Sequence, residues 1–465
     1  MQVHPLKPAA ARASAVAALL CLTLGLAAPL AGVPAATQRA VGVALFAAIA
    51  WTGRPVPVEL SSLAILVILP PAGLLTLRQA LAAFSGPAVW LVYAGMILSQ
   101  MLLELELGEA AARRLVCHLS GTTFRLLLAL HALGLGAAFL VPSGVVRVLL
   151  LLPVAEAVSR QLEREGRGQA RTAVYLSLIC STYFGGCGVL TGSVPNLVVA
   201  GQLEAATGRT IYWSQWLVWM LPVVGVARTA LSLGVIWVLH GRHLPRRETA
   251  PAPPADPVAG HPGRGRGMAI LILGMVLWAT DALHHLAPVY VGLVLVLLCV
   301  APGVGPLPPS RLGRVDFAFF LYLAALFAVG DALQAAGLGE RLVAPAAEWL
   351  SLAERSWWAR HLAITALVVP LDFLMDIAAV AGVVTPVLVP VAQAQGVGDL
   401  AAAMSVAMAT CLVFLPYQSA PFMVALQRGR LRFRDLAGTM ALISSLSLVV
   451  LYPLNVAYWR WVGLI

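Results

Sequence analysis

Long apolar runs separated by short polar or proline-rich breaks dominate the sequence. In the first quarter of the chain, such runs lie near 14–33, 40–53, 57–75 and 87–107. A run of about 20 apolar residues is long enough to form a helix across a bilayer. The pattern therefore predicts four early transmembrane helices. Ala35-Ala36 leaves open the alternative that the first run is a cleaved signal peptide.

The next apolar stretches do not fit simple transmembrane helices. Residues 109–118 are amphipathic and are predicted to lie at the membrane surface. Stretches 122–140 and 145–161 meet at Pro142-Ser143-Gly144, and arginines flank both of their outer ends. Because basic residues favour the cytoplasmic side, we expect a helical hairpin that enters and leaves the membrane from the cytoplasm.

Three further segments complete the first half of the chain. Residues 172–206 contain several glycines and the turn 191–196, which predicts a discontinuous span with an unwound middle. A continuous helix is predicted at 213–240. Residues 241–267 are rich in Pro, Gly and Arg, which is typical of a flexible linker, here on the cytoplasmic side.

The second half repeats the order of elements in the first. Pro153 is matched by Pro386 and Pro195 by Pro421, in each case about 230 residues later. Five spans and one hairpin in each unit give the units opposite orientations, the inverted-repeat design of secondary transporters. We therefore predict an all-α polytopic membrane protein with about 11 transmembrane helices and two re-entrant hairpins. The predicted units are an N-terminal helix (1–36), a first repeat (37–240) with a cytoplasmic-side hairpin (122–161), a linker (241–267) and a second repeat (268–465) with an outer-side hairpin (360–396).

Composition and charge agree with this architecture. Of the 465 residues, 60% are hydrophobic and only 11% are charged, and the mean hydropathy is +0.89. The net charge is +10, but the arginines cluster between apolar runs. We interpret them as a cytoplasmic membrane face and not as a nucleic-acid-binding surface. The charge pattern predicts a multi-pass protein of a bacterial inner (plasma) membrane, with its N-terminus in the cytoplasm and its C-terminus outside.

Ionisable residues inside apolar stretches are the strongest functional candidates, because charged groups at such depth are costly and usually functional. Arg147 lies one helical turn after Ser143, and its guanidinium could bind carboxylate or sulfate oxygens in a bidentate manner. The alternative is that backbone carbonyls or Asp376 satisfy its charge. Asp372 and Asp376 are expected to share one face of a helix and to form a coupling-ion site for H⁺ or Na⁺. The alternative is that one of these acids pairs with Arg147.

The turn Gly192-Ser193-Val194-Pro195-Asn196, with the hairpin, linker and second copy around it, resembles the divalent anion:sodium symporter family of dicarboxylate, citrate and sulfate carriers. The resemblance runs from about residue 40 to the end and includes Arg432-Phe433-Arg434-Asp435. It implies an elevator-type mechanism, a homodimer, an anionic di- or tricarboxylate or sulfate-like substrate, and no cofactor besides a coupling ion. Where the family has a Ser-Asn-Thr signature at each hairpin tip, this chain has Ser143-Gly144-Val145 and Asp376-Ile377-Ala378.

The predicted function is a symporter of small anions driven by a Na⁺ or H⁺ gradient. An electroneutral anion exchanger and a non-transporting membrane sensor or scaffold are the alternatives. The sequence contains no nucleophile–base pair, metal-spaced cluster or phosphate loop that would support an enzyme.

His131 is interpreted as an interior histidine, and Asp281 as a capping or solvated acid. The candidate substrate-binding residues are Ser143, Gly144, Arg147, Ser193, Pro195, Asn196, Ala378, Gln418, Ser419 and Pro421, and the candidate coupling-ion residues are Ser143, Gly192, Asn196, Asp372, Asp376 and Gln418.

Overall fold

The regular structure of the chain is helical throughout the part that the structure describes, which confirms the all-α prediction. Six helices in this part are long and apolar enough to cross a membrane. The predicted surface segment 109–118 and most of the linker 241–267 lie outside the described residues. The computed structural model describes residues 8–27, 32–53, 55–107, 122–141, 143–164, 168–242, 263–349, 352–428 and 431–465.

The first four apolar runs form helices α1 to α4. Gly25 and Gly42 let α1 and α2 approach closely, since a Cβ on Gly25 would lie 2.6 Å from the Cα of Gly42. The run 57–75 forms a helix of only 11 residues, because Pro70-Pro71 follows its end. This helix is too short to span a bilayer alone, unlike the span expected there. The helices are α1 Pro8–Leu26, α2 Ala35–Gly53, α3 Val58–Ile68 and α4 Pro87–Glu104, with short helices at Leu77–Ala80 and Ala82–Ser85.

The first hairpin and the first interrupted helix follow. The chain leaves α5, passes Val141 and Ser143, and starts α6 at Gly144, so the helix break lies where the sequence predicted it. The interruption predicted within 172–206 separates α7 from α8, and the short helix Leu190–Gly192 lies inside it. The helices are α5 Thr123–Leu140, α6 Gly144–Arg164, α7 Arg171–Cys187, α8 Val194–Thr207 and α9 Trp213–Gly241, with a short helix at Gly168–Ala170.

In the described part of the second half, helices and breaks follow in the order seen from α2 to α9, and α1 has no counterpart there. The first helix of this half begins at Arg264, three residues before the predicted end of the linker, where the Arg264 Nε donates to the carbonyl of Leu105 at 3.2 Å. The helices are α10 Arg264–Ala279, α11 Pro288–Val300, α12 Phe317–Ala335, α13 Trp357–Val368, α14 Ile377–Ala394, α15 Asp399–Thr410, α16 Ala420–Arg428 and α17 Phe433–Trp461. Short helices lie at Asp281–His284, Pro309–Gly313, Gly339–Val343, Ala344–Trp349, Val369–Phe373 and Pro416–Gln418.

The two halves pack through reciprocal contacts of their hairpins and interrupted helices. Helix α6 of the first hairpin packs against α16, and helix α14 of the second hairpin packs against α8. Each hairpin also packs on the first part of the interrupted helix in its own half, α7 or α15. These contacts bring the two hairpin turns and the two helix interruptions together.

Candidate functional site

Four helix N-termini meet around a cavity of about 410 Å³, which we call the central cavity. They are the first residues of α6, α8, α14 and α16, and each of these helices follows a break. The free N–H groups at a helix start carry partial positive charge, so helix ends of this kind favour an anion. The helix ends contribute 143–147, 193–195, 376–378 and 419–421 to the wall, and the rest comes mainly from α4, Trp278 and the region 314–322.

The central cavity brings most of the predicted site residues together. Gly144 packs so closely on α16 that a Cβ there would lie 2.9 Å from the Cγ of Pro421, which joins the two halves at the cavity. The predicted residues that line it are Ser143, Gly144, Arg147, Ser193, Pro195, Asp376, Ala378, Ser419 and Pro421. The other four, Gly192, Asn196, Asp372 and Gln418, are buried within the surrounding segments.

Arg147 holds the first hairpin turn against the interruption between α7 and α8. Its side chain is buried, its Nη1 donates to the carbonyl of Val141 at 2.6 Å, and its Nη2 donates to the carbonyls of Thr182 at 3.2 Å and Gly192 at 2.7 Å. Among the described residues, its Nε has no hydrogen-bond partner. Of the two alternatives for this arginine, the geometry supports the one in which backbone carbonyls satisfy its charge. The bonds to these carbonyls use three of its five N–H groups.

The guanidinium of Arg147 occupies a position suited to a cation. Carbonyl oxygens exposed where a membrane helix is interrupted typically coordinate the coupling ion in secondary transporters. Gly186 makes room for the guanidinium, because a Cβ at this position would overlap Nη2. The chain therefore carries a fixed positive charge at the first interruption.

Arg228, which the sequence analysis did not identify, is placed in a similar way at the second interruption. It is buried, and its Nη1 donates to the carbonyl of Cys411, just after α15, at 2.6 Å. Its Nη2 donates to the hydroxyl of Ser444 at 3.2 Å, and its guanidinium carbon lies 4.3 Å from the ring centre of Phe184. The available signal was an arginine inside the long apolar run that forms α9. Each interruption thus has a buried arginine that donates to a backbone carbonyl within it.

Asn196 stabilises the first interruption and does not reach the cavity wall. Its Nδ2 donates to the carbonyls of Val189 at 2.8 Å and Gly186 at 3.1 Å, and lies 3.4 Å from the carbonyl of Cys187. These carbonyls belong to the end of α7 and the segment after it, where the helical hydrogen-bond pattern stops. The side-chain amide replaces the missing N–H donors.

Replacement of Asn196 by leucine is expected to destabilise the protein by about 1–3 kcal/mol, because buried carbonyls lose their donor. The apparent melting temperature of the purified protein in detergent measures this effect. Gln334→Leu, at an exposed position of α12, is the matched control and should melt near the wild-type temperature. Equal melting temperatures for the two variants would contradict the role assigned to Asn196.

Gln418 has the corresponding role at the second interruption. Its Oε1 accepts from the N–H groups of Phe414 and Leu415, each at 2.7 Å, and its Nε2 donates to the carbonyl of Asp372 at 2.7 Å. All three bonds are to backbone atoms, so the side chain fastens the second interruption to the turn before α14.

Asp372 is completely buried, and neither of its carboxylate oxygens has a hydrogen-bond partner among the described residues. It lies in the short helix Val369–Phe373, just before the second hairpin turn. An ionised carboxylate buried without a partner is very costly. A proton or a bound cation at this carboxylate would remove that cost.

Asp376 lies at the cavity wall and caps α14. Its Oδ1 accepts from the N–H of Ala378 at 2.9 Å, and its own backbone is extended. Because the chain turns between Phe373 and Ile377, Asp372 and Asp376 lie in different elements and do not share the continuous helical face that we expected. Only the second of these acids lines the central cavity.

Two further residues from the sequence analysis, His131 and Asp281, have structural roles. His131 contacts the carbonyl of Leu127 at 2.8 Å and the hydroxyl of Ser232 at 3.1 Å, which confirms a satisfied interior histidine. Asp281 caps α9 by accepting from the N–H of Trp213 at 2.7 Å, which confirms the capping alternative. Across the described ranges, no group of three or more His, Cys, Asp or Glu side chains could hold a metal ion.

Comparison with a solved structure supports the fold. The YdaH transporter of Alcanivorax borkumensis superposes with a TM-score of 0.54 and 16% sequence identity, covering 98% of both chains. At this level of identity the likeness concerns the architecture alone.

Comparison with curated sequences supports the predicted class. An uncharacterized transporter of Haemophilus influenzae is 21% identical over 90% of this chain and 91% of its own length. A membrane protein of Cupriavidus necator is 23% identical over 97% of this chain and 92% of its own length. A sodium-dependent dicarboxylate transporter of Staphylococcus saprophyticus is 23% identical over 43% of this chain and 38% of its own length. The relatives of Haemophilus influenzae and Staphylococcus saprophyticus are named as transporters and not as enzymes, in agreement with the sequence analysis.

A family model confirms the relationship that the sequence indicated. The model described as citrate transporter matches residues 44–412, which include α4, both hairpins and the two interruptions up to Leu412. The match covers well over half of the chain. The protein is therefore a multi-pass membrane protein that belongs to the citrate transporter family.

Proposed function

We propose that this protein is a secondary active transporter that binds an anion in the central cavity and carries it across the membrane. The observation that supports this proposal is the meeting of four helix N-termini and the buried Arg147 guanidinium at one cavity. The citrate transporter family and the sodium-dependent dicarboxylate relative make di- and tricarboxylates and sulfate-like anions the first substrates to test.

Coupling is proposed to use H⁺ through Asp372. At each interruption the guanidinium of a buried arginine already bonds a backbone carbonyl, that of Gly192 or that of Cys411, and carbonyls of this kind typically bind the coupling ion. Asp372, by contrast, is buried without a partner among the described residues, and a proton would remove its charge. Na⁺ bound at the same carboxylate is the alternative coupling ion.

An electroneutral anion exchanger is the second candidate function. The two buried arginines favour it, because fixed cations compensate the charge of a bound anion without a coupling ion. A rate of counterflow of preloaded substrate that depends on neither the pH gradient nor the Na⁺ gradient would indicate an exchanger.

Binding of an anion without transport across the membrane would indicate a sensor or scaffold.

The inverted repeat and the elevator movement form part of the proposal. They are supported by the reciprocal packing of α6 on α16 and of α14 on α8. In an elevator movement, the hairpins and interrupted helices would slide as one body against α4 and α12, which also line the cavity. The homodimer, the cytoplasmic N-terminus and the outer C-terminus complete the proposed arrangement.

Uptake by purified protein in proteoliposomes is the test. We expect accumulation of at least one labelled anion from a panel of sulfate, succinate, citrate and monocarboxylates when an inward H⁺ gradient is imposed. Each anion is also tested with an inward Na⁺ gradient and in counterflow. Liposomes without protein provide the control. Absence of flux for every anion under all three conditions would contradict a transport function.

A further inference from the structure

The two hairpin turns present different chemistry to the central cavity. At the second turn, the carboxylate of Asp376 accepts from the N–H of Ala378 and so occupies the N-terminus of α14. At the first turn, Ser143 supplies a neutral hydroxyl, whose Oγ lies 3.4 Å from the N–H of Val146. The N-terminus of α14 therefore already holds an anion that belongs to the chain itself, whereas the N-terminus of α6 holds none of its own.

The first turn has a second feature that points to an anion. Arg147 lines the cavity one helical turn after Ser143, and its buried Nε has no hydrogen-bond partner in the described ranges. Three of its five N–H groups donate to backbone carbonyls, so two N–H groups remain. A carboxylate at the start of α6 would therefore meet backbone N–H groups, a hydroxyl and a fixed positive charge.

Most of the remaining cavity wall is apolar. Met96 and Leu103 of α4, Phe319 and Tyr322 of α12 and the turn residue Ile377 all line it. A carboxylate group fills only a small part of about 410 Å³. Cavities of this size with few polar groups typically hold a ligand whose body is apolar.

Two further charged residues of the cavity wall carry opposite charges. Arg314 and Asp316, two residues apart, both line the cavity, so the acid offsets the attraction of the arginine for a second anion. A second carboxylate on the ligand would also face the carboxylate of Asp376, and like charges at short distance disfavour binding.

We propose that the ligand of the central cavity is an organic monocarboxylate with an apolar body, and that Asp376 excludes dicarboxylates by occupying the place of a second carboxylate. This inference rests on the proposed function, since it names the substrate class of the same cavity. The carboxylate lies at the first turn near Ser143 and Arg147, and the apolar body lies between α4 and α12.

A matched set of ligands tests the proposal by binding to the full-length protein in detergent. 3-Phenylpropanoate carries one carboxylate and an apolar body, phenylsuccinate adds a second carboxylate, and succinate lacks the apolar body. We expect 3-phenylpropanoate to bind at least about tenfold more tightly than either dicarboxylate, a difference of about 1.4 kcal/mol. Asp376→Asn should reduce this preference, because asparagine caps a helix as well as aspartate but carries no charge. Asp435→Asn, in the first turn of α17, is the matched control and should keep it.

Binding and uptake together separate the two proposals. Equal or tighter binding of succinate by the wild-type protein, no binding of any of the three ligands, or an unchanged preference in Asp376→Asn would overturn the monocarboxylate assignment. Uptake of dicarboxylates alone would leave the transport function standing and remove this assignment. A clear binding preference without uptake of any ligand would instead retain the assignment and contradict the transport function.

Discussion

Replacing Arg147 by glutamine is expected to abolish uptake by the reconstituted protein. The guanidinium fixes three carbonyls of the first hairpin and the first interruption, and it supplies the buried positive charge at the cavity wall. Glutamine carries no charge and has a single amide group to donate, so at least one carbonyl loses its donor. A hydrogen bond between the guanidinium and a bound anion contributes about 1.5–3 kcal/mol, so its loss weakens anion binding by tenfold or more. Initial uptake rate and ligand affinity are the measurements.

The controls for this variant separate loss of function from loss of fold. Arg160→Gln changes an exposed arginine on the same helix, α6, and should leave uptake unchanged. Arg147→Lys retains the charge but cannot bond several carbonyls in a fixed plane, so we expect an intermediate rate. A monodisperse size-exclusion profile shows that each variant is folded. Wild-type affinity and uptake in Arg147→Gln would exclude the anion-binding role of this arginine.

A second measurement on this position tests whether the guanidinium stands in for an ion. In Arg147→Ser the carbonyl oxygens of Val141, Thr182 and Gly192 are left without their cation. If the site is suited to a cation, millimolar methylguanidinium or Na⁺ should restore part of the ligand affinity of this variant and leave the wild type unaffected. Equal insensitivity of both proteins would show that the arginine is held there only to stabilise the turn.

The local breaks of the fold could be predicted from sequence because they depend on nearby residues. The first hairpin break, before Gly144, and the break after α7 both lie where the sequence predicted them. Apolar run length was less reliable, since the run 57–75 is cut by Pro70-Pro71 and gives a helix of 11 residues.

The partners of the site residues could not be predicted in the same way. Arg147 bonds carbonyls 35 and 45 residues further along the chain, that of Thr182 within α7 and that of Gly192 in the interruption after it. Asn196 and Gln418 were expected to contact substrate or ion, yet both are directed to backbone atoms of the interruptions. Such contacts depend on the tertiary packing of the two halves, which has no local signal in the sequence.

The two aspartates of the second turn show how a periodicity argument can identify the right residues and the wrong geometry. A spacing of four residues predicts a shared face only if the helix is continuous. The chain instead places Asp372 in a short buried helix and gives Asp376 the capping position of the next one. The two carboxylates therefore differ in surroundings, and we assign the coupling ion to the first and the control of ligand charge to the second.

Asp372→Asn is expected to uncouple uptake from the H⁺ gradient while exchange of preloaded substrate continues. If each anion enters with one proton, an inward gradient of one pH unit supplies about 1.4 kcal/mol, which corresponds to roughly tenfold accumulation by the wild-type protein. Asparagine has nearly the same shape as aspartic acid but cannot bind and release a proton. Substrate therefore binds and crosses in the variant, and the accumulation driven by the pH gradient disappears. Accumulation ratios in proteoliposomes at fixed membrane potential provide the measurement.

The matched control is Asp331→Asn, which changes an acid in the apolar helix α12 that does not line the central cavity. We expect this control to keep the pH-driven accumulation, because Asp372 is the acid that is fully buried without a partner among the described residues. If Asp331→Asn loses the pH-driven accumulation and Asp372→Asn keeps it, the proton binds in α12 and not at Asp372. If a Na⁺ gradient drives the wild type and Asp372→Asn removes that dependence, the carboxylate is the ion site and the ion is Na⁺. Equal pH-driven accumulation in Asp372→Asn and the wild type would exclude Asp372 as the coupling residue, since the isosteric amide leaves every other contact of the second turn in place.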